Sequence, residues 1–256
     1  MPRARSLLGR MFEPFGGSLW ILFLVWTALV AVVWIFGFGP VEIGQRVGNQ
    51  GLREALVWMA GVLDPFWLVL AAANVYLCVV AVQGLTVARQ WAAIILVGAS
   101  AIAWISVATG WPLGPIVYTH RLGFRLGPVP LGLLLLWLIL VLCSRETAAR
   151  FLPRASHAQL AAATGLLVLA SALNLEMLAW KTRSWWFWYP ATVPVPSWPP
   201  LRNYATWLIA GTVFAYQLRE RNVASTRAPG SAIPVFILLL MNGVFAVTHL
   251  ASWLRR

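Results

Sequence analysis

The chain has 256 residues, 61% of them hydrophobic and only 10% charged. A soluble domain carries roughly a quarter charged residues, so this composition excludes a chain that covers itself with a water-facing surface. The net charge of +12 comes from cations scattered between apolar segments, with no basic face, which excludes a nucleic-acid-binding domain.

A membrane span needs about 20 apolar residues. Seven such spans use roughly 140 residues and leave only short loops. The pattern therefore predicts an all-α fold, a polytopic bundle of about seven transmembrane helices forming a single integral membrane domain over residues 1–256. The short basic segment Met1 to Arg10 precedes an apolar run too long for a signal-peptide core and reads as a retained signal-anchor.

The first span is expected from about Ser18 to Phe38. The second, from about Ala55 to Val87, carries Asp64-Pro65 near its start and Asn74 inside it. Proline lacks the backbone donor, so a break or kink is expected at Pro65. A third span, from about Trp91 to Val107, leads into a polar-aromatic loop from Thr109 to Gly123. The fourth, Pro128 to Cys143, is short and leucine-rich, and the fifth, from about Gln159 to Trp180, ends with Asn174 and Glu176. Lys181 to Asn203 is crowded with Trp185, Trp186, Trp188, Tyr189, Trp198 and five prolines. Tyr204 to Leu218 and Ala232 to Leu254 complete the spans. Cys78 and Cys143 fall inside apolar segments and read as small buried hydrophobes. Compact basic clusters at Arg145–Arg154 and Arg219–Arg227 group with the N-terminus and place it on the cytoplasmic side of a bacterial cytoplasmic membrane.

Ionisable groups at membrane depth are costly and mark functional candidates. Two acids qualify, Asp64 and Glu176; each has the plainer alternative of reaching the headgroups from a span end. Asn74 and Asn174 are suited to hydrogen bonds between helices. The tryptophans from Trp185 to Trp198 read either as an interfacial belt or as a wall of π faces able to stabilise a cation. His120, His157 and His249 have no metal-ligand spacing. No dinucleotide fingerprint, no phosphate-binding P-loop and no aspartate-rich diphosphate motif is present, and the last span has no lysine for a retinal Schiff base. No internal repeat points to a transporter.

The run Thr109-Gly-Trp-Pro-Leu-Gly-Pro115, with Tyr118-Thr119, Leu122-Gly123, Val129-Pro130 and Trp137, resembles the carotenoid biosynthesis protein family. That family includes the bisanhydrobacterioruberin and γ-carotene hydratases. A second block, Pro200-Leu201-x-Asn203-Tyr204-x-x-Trp207, resembles another segment of the same family. Where the family carries acids, this chain has Ala103 to Ser106 before the Thr-Gly pair, His120 after Tyr118-Thr119, and Asn174 late in the fifth span.

The resemblance implies addition of water to a terminal double bond of a linear carotene. It also implies a hydrophobic isoprenoid substrate, no cofactor and no metal, the lipid bilayer as environment, and other carotenoid-pathway enzymes as partners. Such chemistry needs a carboxylic acid to protonate the alkene, aromatic faces for the tertiary cation, and a held water. Asp64 and Glu176 are the candidate acids. Trp111, Tyr118, Trp186 and Trp188 are the candidates to face the cation, Tyr118, His120 and Asn203 to hold the water, and Trp207 to line the substrate site. Two alternatives stay open. A membrane lycopene-cyclase-like isomerase is partly matched by Pro40-Val41-Glu42, although Ile43 stands where its second acid belongs. A carotenoid- or lipid-binding paralogue without catalysis is the other. Product mass separates all three.

Overall fold

The computed structural model describes residues 16–37, 47–188, 198–219 and 232–255. The N-terminal basic segment, the Pro40-Val41-Glu42 match, Tyr189, Arg221 and Arg227 lie outside them. Among the described residues there are seven α-helices: α1 (Gly16–Phe36), α2 (Gln50–Gln83), α3 (Leu85–Thr109), α4 (Leu131–Phe151), α5 (His157–Met177), α6 (Leu201–Gln217) and α7 (Ile233–Leu254). All but α6 are long and apolar enough to cross a membrane. The chain is built as an integral membrane protein. At 17 residues, α6 spans only about 26 Å, short of the roughly 30 Å of hydrocarbon.

The leucine-rich α4 is the hub. Its apolar side chains run round the whole helix, and a helix of that kind is buried. Of its most apolar window 83% is buried, against 22–44% for the other five spanning helices. It packs against α2, α3, α5, α6 and α7, which turn their outer faces to the lipid. The tightest pair is α5 with α6. A Cβ at Gly165 would strike Thr212, and one at Gly211 would press on Val168. Small residues facing each other let membrane helices approach closely.

In three places the structure departs from the sequence reading. First, α2 runs through Pro65 without a break, although the ring removes one backbone donor. The short turn His120–Leu122 packs there, where a Cβ on Gly123 (φ +84°) would lie 2.9 Å from the Pro65 ring. Second, Arg145 is not a loop cation. It lies within α4, 1% exposed, with its guanidinium 4.3 Å from the Trp91 ring centroid and Nη2 donating to Leu218 O at 3.3 Å. Third, the aromatic loops contain ordered strands. The strand β1 (Ile116–Tyr118) pairs antiparallel with β4 (Trp186–Trp188), and β2 (Arg125–Leu126) with β3 (Val129–Pro130). The cysteines are not disulfide-bonded, and Cys143 is buried.

Candidate functional site

The first site forms where α5 ends. Glu176 occupies its last turn, followed by a π-helical turn, Leu178–Thr182. The backbone N–H of Arg183 then bonds to Leu178 O at 2.8 Å and that of Trp185 to Ala179 O at 2.7 Å. Single π turns of this kind recur at functional sites. The chain leaves directly into β4, whose register sets Trp186 opposite Tyr118 and Trp188 opposite Ile116. Alternation along both strands turns Ile116, Tyr118, Trp186 and Trp188 inward and Val117 and Phe187 outward.

Two indoles converge on Glu176. Trp186 Nε1 donates to Oε2 at 3.1 Å, and Trp207 Nε1 donates to Oε1 at 2.9 Å. Asn203 and Trp207 are four residues apart on α6 and therefore share a helix face. The Asn203 side chain lies beside the Glu176 carboxyl; its amide nitrogen makes no hydrogen bond of ordinary geometry. Behind Trp207, the Trp137 ring of α4 stacks at 3.8 Å and 17°. The Tyr118 ring meets Trp186 edge-on at 6.2 Å.

This region is short of acceptors. Tyr118 Oη, Trp188 Nε1, Trp137 Nε1 and Asn203 Nδ2 are all buried without a hydrogen-bond partner among the described residues. A buried polar group left unpaired costs about 1–3 kcal/mol, and such a gathering is where a water or a ligand oxygen would be welcome. Burial pushes the Tyr118 phenol well above its usual range. Its hydroxyl is therefore a proton-bearing group at any physiological pH.

The second site surrounds Asp64 on α2. Its Oδ1 accepts from Trp34 Nε1 at 3.0 Å and Arg183 Nη2 at 3.0 Å. Its Oδ2 accepts from Arg183 Nε at 3.1 Å, Arg183 Nη2 at 2.9 Å and Trp185 Nε1 at 2.7 Å. The guanidinium also lies 5.1 Å from the Trp34 ring centroid. One carboxylate thus ties α1, α2 and the turn after α5 together.

Tyr118, Glu176, Trp186, Asn203 and Trp207, then, gather in one buried neighbourhood, with Trp188 on the same inward strand face. Asp64 sits in a separate cluster. Trp111 is 65% exposed and His120 is exposed, so neither is brought into the Glu176 neighbourhood. Trp185, Trp186 and Trp188 are buried and Trp198 is exposed, which splits the expected belt into an interior part and a surface part. Asn174 is exposed on α5 and donates to Asn242 Oδ1 on α7 at 3.2 Å. It lines a groove of about 330 Å³ with Leu173, Met177, Trp198, Ala246, His249, Leu250 and Trp253. Glu176 is not part of that groove's wall.

Sequence reasoning missed Arg183 and Trp34, and named Trp137 only within the family resemblance. The only available signal for Arg183 was indirect: an aspartate inside a span requires a cation, and Arg183 is one of two cations immediately before the aromatic run. Among the described residues no cluster of three or more histidine, cysteine or acidic side chains could hold a metal ion.

No curated protein and no solved structure matches the chain. The sequence profile described as "Carotenoid biosynthesis protein" matches residues 63–255, from the residue before Asp64 through α7. That match covers most of the chain and includes both acids and both recognisable blocks, and the chain accordingly belongs to the carotenoid biosynthesis protein family.

Proposed function

We propose that this protein, whose family assigns it to carotenoid biosynthesis, adds water to a terminal carbon–carbon double bond of a linear carotene, with Glu176 as the proton donor. One observation carries the reading: Glu176 is buried at the end of α5 with neutral indole N–H groups as its hydrogen-bond donors and no ion-paired cation among the described residues. A lone buried charge is costly, so the carboxyl is carried as the neutral acid. A carboxyl group has about four acceptor positions, and the two indoles occupy two of them.

In this reading the Glu176 O–H bond breaks and its proton adds to the less substituted alkene carbon, leaving a tertiary cation. The π faces of Trp186 and Trp207 stabilise that charge, with Trp137 stacked behind Trp207. Water held by the Tyr118 hydroxyl and the Asn203 amide attacks the cation and forms the C–O bond. The surplus proton of the water passes to the Glu176 carboxylate, which restores the acid. Atoms and charge balance without a redox partner. Asp64 is the poorer acid, because any proton on its oxygens would displace a guanidinium or indole N–H.

Expression in a carotene-accumulating bacterium, with mass analysis of the pigments, tests the reading. The expected product is heavier than its precursor by one water, and Glu176→Gln abolishes it. A product of unchanged mass with a new ring would establish a cyclase. A second reading, a pigment holder without catalysis, is favoured by the lateral groove between α5 and α7, which does not open on Glu176. It predicts that unconverted carotene co-purifies with the protein.

A further inference from the structure

The second buried carboxylate has no part in that chemistry, yet its cluster is too complete to be incidental. Four consecutive residues connect it to the reaction site. Arg183 and Trp185 are both bound to Asp64 through their side chains. Ser184 between them has φ +52°, a conformation that L-residues other than glycine adopt only when held. It is held from a second direction as well. Thr119 Oγ1 donates to Ser184 O at 2.8 Å, and Thr119 N donates to Trp185 O at 2.9 Å. The next residue, Trp186, is the one whose indole reaches Glu176.

We infer that the Asp64–Arg183 pair, gripping Trp34 and Trp185, is the device that positions Trp186 against Glu176. Asp64 and Arg183 are positioning residues in this scheme and touch no reacting atom. The argument is one of leverage. A turn fixed at two side chains and two carbonyls has no freedom left, so β4 leaves it in one direction only. That direction brings Trp186 into register with Tyr118 and its N–H onto Oε2 of Glu176. Trp207 reaches the same carboxyl from α6 and owes nothing to the turn. The two indoles therefore report separately on positioning and on general integrity.

The inference rests on Glu176 being the working acid, and its test is chosen to be readable whether or not hydration occurs. The full chain, labelled with ¹⁵N at the tryptophan indoles and reconstituted in detergent, gives one N–H resonance per tryptophan. Trp186→Phe and Trp207→Phe assign the two that matter. In Asp64→Asn the Trp186 resonance is expected to lose its hydrogen-bonded shift while that of Trp207 stays in place. A folded variant in which Trp186 does not move overturns the inference, and so does one in which both resonances move together. Should Asp64→Asn fail to fold, the double variant Asp64→Asn with Arg183→Gln removes both charges and carries the same test. In the pigment assay, Asp64→Asn is expected to lower hydroxylated product by tenfold or more, and Asp64→Glu to recover part of it. Failure of the wild type to hydrate would refute the proposed function while leaving the resonance test standing.

Discussion

Asp64 and Glu176 are each 1% exposed, yet the fold treats them as opposites. Asp64 is wrapped by a guanidinium and two indoles and accepts five hydrogen bonds. Glu176 accepts from two indoles and faces buried donors that have no partners of their own. Depth in the membrane therefore says little about what a carboxyl group does. Its company decides. In the proposed reaction the carboxyl bound by a cation is the anchor, and the one held by neutral donors is the acid.

The comparison breaks most sharply at Glu176. Glu176→Gln keeps an acceptor for Trp207 but has no acidic proton, so hydroxylated pigment is expected to fall by about 10²–10⁴-fold at normal protein yield, read by mass analysis. Substantial product from that variant would remove Glu176 from the mechanism. Arg183→Leu attacks the other carboxyl. Leaving Asp64 uncompensated is expected to cost about 3–5 kcal/mol, seen as early thermal unfolding in detergent. Asp64→Asn with Arg183→Gln should recover most of that loss, because neither charge is then left alone.

Tyr118→Phe sharpens the contrast from the side of the unpaired donors. Its hydroxyl bonds to nothing among the described residues, so the fold should lose nothing and gain up to about 1–3 kcal/mol, while pigment conversion drops. The same residue has a pH signature. In the folded protein its phenol titrates above the ordinary tyrosine range, so the unfolded chain ionises first. The wild type is therefore expected to lose stability as pH rises past that range, and Tyr118→Phe should lose less of it. The smallest effect belongs to His120→Ala. An exposed side chain that bonds to neither carboxyl should change stability by less than about 0.5 kcal/mol and leave conversion intact; a large loss would bring His120 back to the site.

Much of this was legible in the chain itself. The spans, the all-α class and the candidate acids follow from where charges are missing and where two remain, since hydrocarbon enforces that pattern. The blocks around Thr109–Tyr118 and Pro200–Trp207 led to the family. The strands β1 and β4 were not legible: three residues each, on opposite sides of two spanning helices, they show alternation only once Tyr118 and Trp186 are known to pair. Nor could the continuity of α2 through Pro65 be read, because a proline removes a backbone donor and the chain alone does not show that the turn before Gly123 packs beside it.

Local chemistry in this protein thus determined what must be buried: long apolar helices, two carboxyls among them, and tryptophans at the ends. Only the tertiary structure decided which donor each carboxyl received. Arg183 lies 119 positions from Asp64 but seven from Glu176 along the chain, and proximity in sequence favoured the wrong partner. A charge buried in the bundle is satisfied by whatever the packing brings within about 3 Å, and the packing of α1 and α2 against the turn after α5 awarded Arg183 to Asp64.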